Sequence, residues 1–564
     1  MSYSLNLPFG FLLCTTSAFA QHARTPVFFS DSVEGDVQIA TAGDRTLAVW
    51  STDGGRLQSS ISDGRGLTWS APVRVDSTIH VDSLESGNGS PTVIRVGALA
   101  YAVWRDGRAG TFNESVGFNR SLDGGASWEA DRLLPRNGSV PSVRMRDFSL
   151  AIGALASNPS VHVLEITRTS SGDDDLVLTS STDAGATFGN AVDVATSNGG
   201  AGQVFTSAIA AEGATVHCGW IEHRGGWQVI YRRSDDDGAT FGVERRVDLT
   251  SPTDPIGPIR VACRGSLVVL AWMERISFTP ITEDREIRVA VSTDGGQTFA
   301  PDRKVGGYPA TGTTLFGFDL ELRAGNVVVG YHYGQPLAAV STDQGVSFAD
   351  IPLAPGLGEN VEFASDSDAS GRLVAVWRSG GFPFSASAAH SFDGGLTWSA
   401  PLEVNTTGLE VFSLAAAYNA RYDNVVVGLF DSAGSGELHV GGYRPQYVRA
   451  NNLVAGATNA TFSLAGFQPG APRNGWVLAA FHTGQFVLPG DGRDLGLARD
   501  SLLSATIRRR VTFATTIDAS GAGVTGSLAV PPLPGLTFYA AALSFDQGPL
   551  VLHHLTDAIP FTVQ

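Results

Sequence analysis

The chain has 564 residues, 67 of them glycine and 27 proline, and a formal charge of −17. That length exceeds one small core and implies two domains, while frequent Val/Ala/Thr alternation without a long amphipathic helical pattern implies an all-β protein rich in turns. The acidic balance and a single lysine, Lys304, exclude nucleic acid as the partner and imply chiefly solubility.

The chain opens with an apolar run, Leu7 to Leu13, and then Ala18-Phe19-Ala20, a small-residue pattern that fits signal-peptidase cleavage before Gln21. Residues 1–20 are expected to be a signal peptide, although no Lys or Arg precedes the run, and the mature chain to be secreted, periplasmic or at the cell surface. Leu13 stands before Cys14 where a lipoprotein motif wants a small residue, which argues against an anchor. No other segment approaches the roughly 20 apolar residues of a membrane span. With the leader removed, Cys218 and Cys263 remain, in neighbouring repeats; a disulfide and two separately buried thiols are both open.

From Ser62 onward an eight-residue phrase recurs: Ser-x-Asp-x-Gly-x-Thr/Ser-Trp/Phe. It runs cleanly from Ser121 to Trp128, Ser181 to Phe188, Ser234 to Phe241, Ser292 to Phe299, Ser341 to Phe348 and Ser391 to Trp398. A degenerate copy, Ser62 to Trp69, slides its Asp by one position. The aromatic positions are separated by 59, 60, 53, 58, 49 and 50 residues, a period of stacked or radially arranged units. In a tight turn the Asp carboxylate accepts backbone N–H groups, Gly supplies a positive φ, and the aromatic ring is expected to drop into the apolar layer of its own unit. Seven copies cannot all line one active site, so the phrase reads as a fold staple.

Within each period the grammar is four strands. The fifth unit shows it with Ile259 to Cys263, Leu267 to Trp272, Glu286 to Ser292 and a strand after Phe299. Four strands per period make a propeller blade. After the last octapeptide, three more strands are expected at Val411 to Tyr418, Asn424 to Leu429 and Glu437 to Tyr443. Thr25 to Ser30 is then the candidate fourth strand that closes the ring and removes its exposed edges. The expected architecture is a β-propeller of seven or eight four-stranded blades over residues 21–446. It is followed over 447–564 by a small β-sandwich or jelly-roll-like accessory domain, with runs at Val477 to Phe481, Arg510 to Ala514 and Thr537 to Leu543.

The octapeptide resembles the Asp-box, or BNR repeat, of sialidase-like β-propellers, and the resemblance covers residues 36 to 405. It implies a fold. Asp-box propellers include glycosidases as well as binding and sorting modules, so activity rests on the site. The resemblance places that site on the face opposite the octapeptides, where the second strands end. Those ends read Trp50 to Asp53, Trp104-Arg105-Asp106-Gly107-Arg108, Leu164 to Arg168, Trp220-Ile221-Glu222-His223-Arg224, Trp272-Met273-Glu274-Arg275, Tyr331-His332-Tyr333 and Trp377-Arg378.

Aromatic walls with carboxylates and arginines suit sugars, since rings stack on apolar faces and guanidinium forks bind carboxylates. The candidate substrate contacts are Trp104, Trp220, Trp272, Arg24, Arg224, Arg275 and Arg378. A sialidase-like mechanism would use Asp106 as acid/base, Glu222 as activator and Tyr422 as nucleophile, with Arg24, Arg224 and Arg275 on the substrate carboxylate. The family's Tyr/Phe-Arg-Ile-Pro motif is absent; Arg24-Thr25-Pro26 keeps only Arg and Pro.

The competing reading of these strand ends is a periodic salt bridge at hairpin turns. Asp173 to Asp175 and Asp235 to Asp237 read as solvated turns, and neither a metal nor a cofactor is expected. The sequence therefore favours a secreted, monomeric propeller that recognises a carbohydrate or an extracellular protein without catalysis. A sialidase-like exo-glycosidase is the alternative, and a purely structural protein is the third reading.

Overall fold

The structure is a computed structural model whose described residues run from Arg24 to Val563, except for internal stretches of which the longest are 78–90, 307–316, 481–496 and 526–535. The expected leader at 1–20 lies outside them. The described residues fall into two compact units, Ala23–Tyr443 and Arg444–Gln564.

In the first unit, eight four-stranded antiparallel sheets follow one another among the described residues. Seven span residues 33–74, 92–133, 144–196, 204–246, 254–305, 318–352 and 358–403. The eighth combines Val411–Asn419, Asn424–Asp431 and Glu437–Tyr443 with Arg24–Ser30, which pairs antiparallel to Glu437–Tyr443. Eight apolar cores lie one between each pair of consecutive sheets. The last joins Val37, Ile39, Ala48 and Trp50 of the first sheet to Ala415 and Val426 of the eighth, so the ring of this β-propeller is closed. Because each sheet is covered on both faces, its second strand is buried almost throughout: all seven residues of Asn326–His332 are buried.

The octapeptides hold one end of these sheets. In the copy at Ser292 the hydroxyl donates to Asp294 Oδ1 at 2.7 Å and accepts from the Gly296 amide at 2.7 Å. The carboxylate accepts the Thr298 amide at 2.9 Å and its hydroxyl at 2.6 Å. The other five regular copies repeat these bonds with nearly the same lengths. The Thr298 hydroxyl holds Asp294 well below the usual carboxylate range. Burial alone would raise Asp183, but the donors of Thr187 and Ser181 bring it down to about 2.

Why the fifth position is always glycine follows from two constraints. Gly125 has φ +99°, and a Cβ there would stand 2.5 Å from Leu47 Cδ1 of the preceding sheet. The fourth position tolerates other residues, and Ala184, Asp237 and Gln344 occupy it with positive φ.

One expectation needs correction. The octapeptide aromatic packs between its own sheet and the preceding one, not within its own unit. Phe188 meets Phe118 edge-on at 4.7 Å, Phe299 meets Tyr231 at 4.7 Å, and Trp128 Nε1 donates to Ser59 Oγ at 2.8 Å. The turns therefore join sheets as well as strands. Arginines add to this: Arg45 and Arg120 donate to the turn carbonyls of Asp123 and Ala184 in the next sheet.

The second unit has a three-stranded sheet and a second, larger antiparallel sheet that includes Arg473–Ala480 and Thr537–Phe545. Phe462 and Leu464 of the first share a core with Val477, Ala479 and Ala542 of the second. A helix, Ser501–Arg508, which the sequence reading lacks, packs Leu503 against Leu478 and Leu543.

Candidate functional site

Strand pairing separates the two ends of each sheet. In the fourth, Val216 pairs with Ser234 where the octapeptide begins, whereas Glu222 pairs with Gln228 at the other end. The second-strand ends thus lie away from the octapeptides.

There, Trp and acid stand two residues apart and so share one face of the strand. Trp104 Nε1 donates to Asp106 at 3.0 Å, Trp220 to Glu222 at 2.9 Å and Trp272 to Glu274 at 2.9 Å. All three tryptophans are fully buried and face the preceding sheet, so none is a wall on which a ligand stacks.

The acids are buried with them and are held by arginines. Arg108 bridges Asp106 and Asp131, Arg224 bridges Glu222 and Glu244 at 2.7 Å each, and Arg288 stands 3.7 Å from Glu274 while bonding Glu286 and Asp302. This is the periodic ion pair that repetition suggests, set in inter-sheet clefts.

The proposed catalytic set is not brought together. Asp106 lies between the first and second sheets and Glu222 between the third and fourth, with two sheets separating them. Tyr422 lies outside the described residues; the pair flanking it, Asn419 and Asn424, closes a hairpin at the end where other sheets carry octapeptides. Arg24 pairs with Gly442 through its backbone, and its side chain lies outside the described residues. Arg378 is half-buried in the second strand of the seventh sheet.

Among the described residues, Cys218 and Cys263 are free thiols. Cys218 sits in the core between the third and fourth sheets, whereas Cys263 packs against the core between the fourth and fifth, so the fourth sheet stands between them. Burial pushes the Cys263 thiol up to about 12.

What the second-strand end does offer is a cleft between the fourth and fifth sheets. Its volume is ≈ 320 Å³, and its walls are Phe205, Trp227, Pro255, Ile256, Arg275 and Arg285. Phe205 is 45% exposed although its neighbour Val204 is buried. The Phe205 ring meets Trp227 edge-on at 5.8 Å, and His223 meets Trp227 edge-on at 5.2 Å. Arg275 is the one sequence candidate that reaches this cleft.

Phe205 and Trp227 were not singled out by the sequence. Their signal was an aromatic out of phase with the buried positions of a first strand, and a Trp straight after the Gly225-Gly226 hairpin.

No metal-ligating cluster of three His, Cys, Asp or Glu occurs among the described residues. Nor is any helix among them long and apolar enough to cross a membrane.

No family model matches the chain, and no curated protein does. Among solved structures it is similar to the polysaccharide lyase Uly1, at 9% identity and TM-score 0.46 over 76% of this chain and 94% of that one. An α-L-arabinanase of Penicillium chrysogenum matches at 15% identity and TM-score 0.36, over 65% and 98%. A Hadza microbial sialidase matches at 12% identity and TM-score 0.34, over 69% and 73%. Likenesses this distant assign no activity.

Proposed function

We propose that the chain is a secreted Asp-box propeller of eight blades with a sandwich-like accessory domain, and that it recognises carbohydrate at the cleft between the fourth and fifth sheets. One observation carries the reading: exposed Phe205 and half-buried Trp227 form an aromatic corner at the ring end opposite the octapeptides, beside two arginines. Sugar rings present apolar C–H faces to such corners, and ring burial supplies much of the affinity.

Binding is favoured over hydrolysis because a glycosidase needs two carboxyl groups flanking one bond, within roughly 5–9.5 Å of each other. Asp106 and Glu222 instead occupy different inter-sheet cores and are tied to their own tryptophans.

The test is a glycan array probed with the full chain and with Trp227→Ala. Binding that the substitution abolishes supports the reading. Binding that survives it unchanged moves the site away from the cleft, and silence across the array overturns carbohydrate recognition. Fluorogenic glycosides, sialosides included, run in parallel; release lost in Glu222→Gln would restore the exo-glycosidase.

A further inference from the structure

We infer that the saccharide held by this cleft carries an anionic group, a ring carboxylate or sulfate, and that Asp254 competes with that group for Arg275. The inference rests on the carbohydrate reading above and narrows it.

The cleft is asymmetric in chemistry. Phe205, Trp227, Pro255 and Ile256 give apolar walls on which a sugar ring can lie, and its two charged walls, Arg275 and Arg285, are both cationic. A neutral sugar would use the apolar surface and leave two guanidinium groups beside its hydroxyls. A carboxylate or sulfate would meet planar donor forks matched to its geometry.

The surroundings support this assignment. Arg285 rests its Nη1 3.9 Å from the Met273 sulfur. Arg275 Nη2 stands 3.6 Å from Asp254 Oδ2, with the Arg275 side chain half-buried and that of Asp254 52% exposed. That distance is too long for a hydrogen bond, and an ion pair so exposed contributes little. Asp254 therefore occupies the place of a ligand anion weakly, and a bidentate ligand displaces it. Because the whole chain carries −17, long-range forces oppose a polyanion, so the preference resides in short contacts inside the cleft.

The probes are a β-(1→4)-glucuronate tetrasaccharide, cellotetraose, which shares its ring and linkage, and 6-O-sulfated cellotetraose. Affinities are measured by calorimetry for the full chain, with unfolding curves to check that each variant is folded. The expected results are tighter binding of one or both acidic probes than of cellotetraose, and an advantage that shrinks with added salt. Arg275→Gln and Arg285→Gln should each weaken the acidic probes about tenfold and spare cellotetraose. Asp254→Asn should strengthen the acidic probes alone, whereas Trp227→Ala should weaken all three.

Equal affinity for all probes, or equal losses in the arginine variants, overturns the inference and leaves carbohydrate recognition standing. So does failure of all three probes when some other glycan binds on the array. Silence on the array removes both. Whether the carboxylate or the sulfate binds tighter tells which anion the cleft takes.

Discussion

The two ends of the propeller sheets are built by opposite rules. At the octapeptide end, Ser, Asp, Gly and Thr or Ser make the same bonds in six copies, and every turn leans on the sheet before it. At the other end the second strands share a Trp-x-acid theme in only three sheets: Tyr331 and Tyr333 replace it in the sixth, and Leu164 to Arg168 in the third. Uniformity there would make every inter-sheet groove alike. The groove between the fourth and fifth sheets, whose second strands both keep the theme, becomes a cleft through Phe205 and Trp227 on the first and third strands of the fourth sheet. Repetition marks the scaffold, and departure from it marks the place that can select a ligand.

The largest effect that would sharpen this contrast lies at the varied end. Arg105 and Glu114 form a buried pair whose side chains are 6% and 3% exposed, and Glu114 also accepts the Met145 amide of the next sheet. Arg105→Ala should cost about 3–5 kcal/mol in urea unfolding, because it strands a buried carboxylate. A loss below ~1 kcal/mol would show that the varied end carries little of the stability.

Acid should attack the uniform end. Burial lowers His162 and His217 to about 4, and both lie near octapeptides. A depressed histidine is neutral when folded and takes up a proton when unfolded below about 6.5. Its contribution is therefore complete above that pH and is lost as pH falls towards about 4, by roughly 3 kcal/mol per residue. Stability measured from pH 7 to 4 should fall, and His217→Gln should flatten the slope; an unchanged slope would refute the assignment.

A smaller comparison uses glycine at the two ends. Gly125→Ala meets both positive φ and Leu47 and should cost about 2–3 kcal/mol, whereas Gly225, at φ +73° with nothing near its Cβ direction, should cost only ~1 kcal/mol. Equal losses in thermal melts would mean that the turn does not press on the preceding sheet.

The smallest expected effect is Glu222→Gln. The amide oxygen keeps an acceptor for the Trp220 indole but loses the charge facing Arg224, whose side chain is 36% exposed. About 1 kcal/mol or less should be lost in unfolding, with array binding intact. Loss of ligand binding without loss of stability would instead bring Glu222 into the site.

The scaffold was legible because its signals are local. Ser292 to Phe299 holds its whole bonding pattern within eight residues, and Glu437 to Tyr443 is found at the expected bounds. Thr25 to Ser30 was recognisable as an edge strand by counting what the last sheet lacked. The site was not legible, because alternation along a strand tells which residues share a face but not which neighbour that face meets. Trp220 and Glu222 stand two residues apart and share one face of their strand, and that face meets the third sheet and not solvent. Phe205 and Trp227 come together across two strands, and the charged walls of their cleft come from the next sheet.

The strand that closes the ring is made long before the strand it pairs with. Arg24–Ser30 emerges about 400 residues before its partner, Glu437–Tyr443. At ribosomal speeds of about 5–20 residues per second, that leaves it without its edge for roughly 20–80 s.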